Sequence, residues 1–236
     1  MSAIVSAVKL HLNQRHATFV VPLIITATVA VFSILISLIF WRAGSVPGSE
    51  EWIAGGRSNP GMVYALVGFL VYLGVASVGS TFPFALTLGL TRRAFIVGTV
   101  IWYMLTAAYL AVVFAVLSAI EIATNHWFVG FYIFDVHVLG AGDPLQLLTT
   151  VFLGTFAAMS VGSVFAAGWV RFGSKGPQLI AVGIVLALGI VLLALVPQAE
   201  TIVAAFELWW LAVFAAVVIM MSAMGAWRLL RLATVR

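Results

Sequence analysis

Few residues of this chain could do chemistry. Among 236 residues there are 11 Lys and Arg, 7 Asp and Glu, 4 His and no Cys. Without cysteine there are no disulfides, thiol nucleophiles or cysteine-bound metals. Gly173-Ser174-Lys175-Gly176-Pro177 has the residue types of a phosphate loop, but not the order. Such a loop needs spaced glycine amides followed by Gly-Lys-Ser/Thr. The string reads instead as a polar turn. His126 and Asp135-Val136-His137 are ligand types for a metal. They read more simply as interfacial polar residues, and no metal site is expected. His11 and His16 stand near the N-terminus without a partner motif. No serine hydrolase set, zinc protease motif or acidic pair of the glycosyltransferase kind is present. The chain is not expected to be an enzyme by itself. The most unusual group is Arg92-Arg93, which closes an apolar stretch punctuated by Pro83 and Gly89.

The elements that must position these residues follow from composition. The chain is 64% hydrophobic and 8% charged, where soluble domains carry about 25% charged residues. Its solvent must be lipid. Apolar windows long enough to cross a bilayer, about 20 residues each, recur at 17–41, 62–83, 95–120, 145–170, 177–197 and 208–227. Alternating strands of a barrel are absent, so helices must satisfy the backbone in lipid. The expected fold is an all-α single transmembrane domain of six helices over 1–236. Pro22, Pro47, Pro60, Pro83, Pro144, Pro177 and Pro197 all fall in loops or near span ends, where a missing N–H is tolerated. Pro83 is expected to end the second span.

Charge sets the orientation. With the N-terminus inside, Lys9, Arg15, Arg92, Arg93, Arg171, Lys175, Arg228, Arg231 and Arg236 lie inside, and only Arg42 and Arg57 outside. Such a bias places both termini in the cytoplasm. All the acids, Glu50, Glu51, Glu121, Asp135, Asp143, Glu200 and Glu207, then fall outside. The leader is too polar to insert. Ile4, Val5, Val8 and Leu12 share an arc opposite Ser6, Lys9 and Asn13, the pattern of a short interfacial helix. Two outer loops, 42–61 and 121–144, are longer; the second is rich in aromatics and is expected to lie on the outer membrane face.

Small residues recur every fourth position at Ala107, Ala111, Ala115 and Ala119, and at Gly154, Ala158, Gly162 and Ala166. Such ridges let helices approach closely. They fit tight packing within one bundle, or a subunit or sliding surface. No ionisable residue lies near the middle of any span, which disfavours ion coupling, since such residues usually mark ion or proton paths.

The stretch before the arginine pair predicts a short helix or turn along the inner face, with Thr91 capping the next helix. Taken alone, Arg92 and Arg93 also fit topology anchors that bind lipid phosphates. The run Gly89, Leu90, Thr91, Arg92, Arg93, Phe95 and Gly98 resembles the cytoplasmic loop of type-2 ABC exporter permeases. The chain departs from that family at Gly89, where Pro is frequent, and at Thr99, where Lys is. The resemblance implies that this loop is a coupling helix docking on a separate ABC ATPase subunit, which would hold the ATP and Mg. This chain would bind no cofactor. It also implies six spans, a second copy or a similar permease as partner, and membrane lipid around both, with no nucleic acid. An outer gate would lie between spans five and six, where 198–207 leave room for one short element flanked by Glu200 and Glu207 with Phe206 between them. The expected function is the plasma-membrane subunit of an ATP-driven exporter of amphipathic or hydrophobic cargo (drug, peptide or lipid-like). An ATPase-independent secondary transporter or channel is the alternative.

Overall fold

A computed structural model describes residues 2–205, 207 and 209–233. Helix α1 (Ala3–Leu12) leads through a wide turn into α2 (Val21–Arg42). Helix α3 (Glu50–Arg57) is short, and α4 (Gly61–Gly79) and α5 (Thr81–Thr87) follow. Then come α6 (Arg92–Ala123), α7 (Pro144–Phe172), α8 (Lys175–Leu195), α9 (Ala199–Ala204) and α10 (Trp209–Arg231). Six helical segments among the described residues are long and apolar enough to cross a membrane. They centre on α2, α4, α6, α7, α8 and α10, as the hydropathy pattern predicts.

The centre of the bundle is α4, α6 and α7. Its core joins Leu66, Leu70 and Leu73 of α4 to Trp102, Tyr103, Leu110 and Phe114 of α6, and to Ala158 and Met159 of α7. Between α4 and α7 the backbones themselves touch. A Cβ on Gly162 would stand 2.1 Å from the Val71 carbonyl oxygen, and one on Gly74 would stand 2.1 Å from that of Met159. Only glycine fits at either place. Tyr103 then ties α6 to α4: the Ser77 hydroxyl donates to the Gly74 carbonyl at 2.7 Å, leaving its oxygen to accept from Tyr103 at 2.5 Å.

The second span ends earlier than its proline suggests. Helix α4 stops at Gly79, and Pro83 sits inside the first turn of α5. A proline cannot donate to the carbonyl four residues back and its ring crowds that carbonyl. Here that carbonyl is Gly79, so the break falls at Ser80. Phe82 and Ala85 of α5 are buried, and Phe82 meets Phe95 edge-on at 5.2 Å.

Helix α1 docks on a different stripe from the one its apolar arc predicts. Val5 is exposed, while Ala7 and His11, one turn apart, are the buried residues. The landing site is Gly98, where an added Cβ would lie 2.5 Å from the Ala7 Cβ. His11 stacks on Trp102 at 4.8 Å. By contrast α8 leaves α7 after a close crossing at Gly168 and Gly176 and is exposed on every side beyond Ala181.

Gly162→Ala is expected to overpack the α4–α7 contact, a cost of about 1–3 kcal/mol. Thermal melting in detergent should fall by several degrees. Gly154→Ala, which points into open space, should leave the melting temperature unchanged. Equal melting of the two variants would rule out the backbone contact.

Candidate functional site

The turn between α5 and α6 carries the residues singled out by sequence. Gly89 has φ +80, a left-handed conformation open to glycine at little cost. It reverses the chain after α5. Thr91 is extended, and its hydroxyl accepts from the Ala94 amide at 3.2 Å, the expected N-cap. Helix α6 therefore starts at Arg92, one turn before the predicted span. Leu90 packs partly buried beside the Phe82–Phe95 core.

The two arginines do different things. Arg92 reaches the end of α10, and its Nη1 donates to the carbonyls of Leu230 at 2.8 Å and Arg231 at 2.9 Å. These are last-turn acceptors with no intrahelical donor, and a cation there also complements the helix dipole. Arg93 is exposed. Phe95 is fully buried between Phe82 and His11, so it shapes the turn from within. Gly98 is the landing site of α1. Arg93, on a stiff helix start, is the charged group the turn presents to solvent.

His11 beneath this turn is a core residue that no sequence motif marks. The Thr99 hydroxyl donates to the Phe95 carbonyl at 2.9 Å, so its oxygen accepts from His11 Nε2 at 2.9 Å. Nδ1 is buried without a partner among the described residues. A neutral imidazole fits this arrangement. Burial pushes the His11 pKa down from 6.5 to about 4.

The other expected positions are scattered. In the ridge of α7, Ala158, Gly162 and Ala166 are buried at helix contacts, while Gly154 faces open space. Of the α6 ridge, Ala107 and Ala111 are buried and Ala119 is exposed. Between α8 and α10 the described residues form a 3-10 turn, Val196–Gln198, and the short helix α9 with Glu200 in its first turn. Glu207 accepts from the Trp209 indole at 2.8 Å. Phe206 lies outside the described residues.

At the opposite end of the bundle lies a buried charge cluster that no sequence motif marks. Glu121 closes α6 with no exposed surface. Its carboxylate accepts from the amides of Ile133, Phe134 and Asp135 at 2.9–3.1 Å and from the Trp127 indole at 3.1 Å. The aromatic segment 124–142 is thus folded over a carboxylate. Asp135 accepts from Arg57 at 2.7 Å and from His126 at 2.9 Å, both on Oδ2. The Arg57 guanidinium also lies 5.5 Å from the Tyr132 ring centre, and the Trp52 indole donates to the Gly130 carbonyl at 2.6 Å. Burial raises the pKa of Tyr132. Asn125, His126, Trp127 and Phe128 all take positive φ, from 52 to 66, at a cost of about 1–2 kcal/mol each. The bonds to Glu121 and Asp135 hold that strained turn. The signal in sequence was the pair of acids flanking an aromatic run, but its partners lie up to 78 residues apart. Among the described residues no three of His, Asp and Glu converge to hold a metal.

No family model, curated protein or solved structure matches the chain.

Two outcomes follow. An undocked His11 takes up a proton near pH 6.5, the docked one only near 4. Docking of α1 is then fully stable above about pH 6.5 and weakens as pH falls towards 4, by about 3 kcal/mol in all. Protease cleavage within the leader should rise over that window, and His11→Phe should abolish the pH dependence. Glu121→Ala would strand three buried amides and the partly buried Trp127 indole, a loss of at least about 3 kcal/mol. Melting should drop sharply and proteolysis should appear in 124–142; a wild-type melting curve would show that the carboxylate holds nothing.

Proposed function

We propose that the chain is the membrane subunit of a type-2 ABC exporter. It forms a translocation pathway with a second copy or a similar permease, and it couples to a separate ATPase subunit that binds ATP and Mg. The observation that carries this reading is the α5–α6 turn. A capped helix start presents Arg93 to solvent, while its neighbours Arg92 and Gly98 bind α10 and α1. A displacement of that turn by a docked partner would be passed to two other helices at once. The excess of Lys and Arg at this end supports a cytoplasmic location for it and for both termini; the membrane would be the plasma membrane.

Other features agree. The spans carry no charge at mid-depth, which disfavours ion coupling and agrees with energy supplied by a partner. Helices α2 and α8 leave large apolar faces open, which lipid and a partner permease would cover. The gate would be α9 with Glu200 and Glu207. An apolar, aromatic interior suits amphipathic or hydrophobic cargo.

Affinity purification of the tagged chain from its native membrane is the direct test. Recovery of an ABC ATPase whose turnover rises in the complex is expected. Transport driven by an ion gradient without any ATPase would overturn the proposal. At the residue level, Arg93→Glu should lower coupled ATP turnover about tenfold, the scale of losing one well-placed charge contact, with melting unchanged. Arg92→Glu is a poorer probe, because it also removes the cap of α10.

A further inference from the structure

A cleft of about 630 Å³ opens between the far end of α2 and the cap formed by α3 and Tyr132. It lies at the opposite end of the bundle from Arg92, and nothing in the exporter reading uses it. Its chemistry is specific. Ser33 and Ser37, one turn apart on α2, face it together with Ser49 and Asn59. Serines directed into a roomy space from a membrane-spanning helix imply that something polar enters there.

The hydrogen-bonding inventory narrows what that is. Ser33 accepts from Asn59 Nδ2 at 3.3 Å, so its own O–H remains to be donated. Ser49 accepts from the Trp52 amide at 3.2 Å and likewise keeps its O–H. Ser37 has no partner among the described residues. The Asn59 Oδ1 is occupied by the Gly61 amide at 2.9 Å, leaving one N–H. Glu51 is exposed and adds a carboxylate acceptor. The wall therefore offers a mixture of donors and acceptors, and hydroxyl groups, which do both, complement it. No Lys, Arg or His lines the cleft, and the Arg57 guanidinium behind Tyr132 is already paired with Asp135, so a phosphate would bring its charge beside Glu51 with no cation on the wall to meet it. A quaternary ammonium would need open aromatic faces. Trp52 is only 9% exposed, and the Tyr132 ring is already taken by His126 at 4.1 Å and by Arg57, which leaves Phe40 as a single open ring on the wall and no aromatic cage.

The same face of α2 supplies an apolar flank. Ile36 and Phe40 are 49% and 54% exposed beside the serines. We infer that this cleft binds an amphiphile with an uncharged polyhydroxyl headgroup, such as a sugar-bearing glycerolipid, the headgroup against Ser33, Ser37 and Asn59 and the chain along Ile36 and Phe40. The site works without any ATPase, so it stands or falls apart from the exporter reading.

The test is native mass spectrometry of the purified full chain in non-sugar detergent micelles. Dioleoyl glucosyl-glycerol and dioleoyl phosphatidylglycerol are added in equal amounts. Retention of the glucosyl lipid should exceed that of the phosphatidyl lipid about tenfold. Ser37→Trp should abolish the preference. Gly55→Leu, whose new side chain enters the cleft from a position with open space, should do the same if Ser37→Trp does not fold. Leu35→Trp, exposed on the face of α2 turned away from Ser33 and Ser37, should retain it. Equal retention of both lipids would overturn the site, as would a preference that survives both filled-cleft variants. Displacement of the lipid by free methyl glucoside at matching concentration would refute the amphiphile and leave a soluble sugar instead.

Discussion

Two backbones in contact set the frame of this molecule. At Gly74 and Gly162, α4 and α7 approach until no side chain of any size fits between them. In lipid the apolar surfaces of helices gain little from leaving their solvent, so close packing has to supply the attraction. Once α4 and α7 are locked, the Gly74 carbonyl becomes the acceptor for Ser77, and Ser77 becomes the anchor for Tyr103 of α6. A contact at one crossing thus determines where the third helix stands.

The two ends of that frame are finished by opposite means. At the basic end, small residues and neutral groups do the joining: Ala7 against Gly98, a neutral His11 on Trp102, and an arginine spent on carbonyl oxygens. At the acidic end, charge is buried outright. Glu121 replaces its lost water with four N–H donors, and charge-assisted bonds of this kind are stronger than neutral ones. Four consecutive left-handed residues are tolerated only because those bonds over-determine the turn.

The sequence made the periodic and local features plain. Six apolar windows gave six helices, because a span must be long and continuous whatever it packs against. Thr91 could be read as a cap because its partner is three residues away. Gly89 marked a turn for the same reason. What stayed hidden depended on distant partners. His11 looked like a polar leader residue until Thr99 and Trp102 were beside it. Glu121 looked like one more outer acid, since the amides it accepts from belong to a loop with no regular period. Pro83 is plain in the sequence, but its effect lands on the carbonyl four residues earlier, which places the break at Ser80. The length of α8 was legible; its separation from the bundle was not, because an apolar helix reads alike in lipid and in a core.

The bond from Arg92 to the end of α10 joins residues 138 and 139 positions apart in the chain. It closes a large ring through the molecule, from the start of the third span, through the fourth and fifth, to the last turn of the sixth. The chain is therefore fastened at that end like a belt with its buckle at Arg92. The third and sixth spans cannot separate there unless the buckle opens, and the neighbouring Arg93 is left outside the fastening.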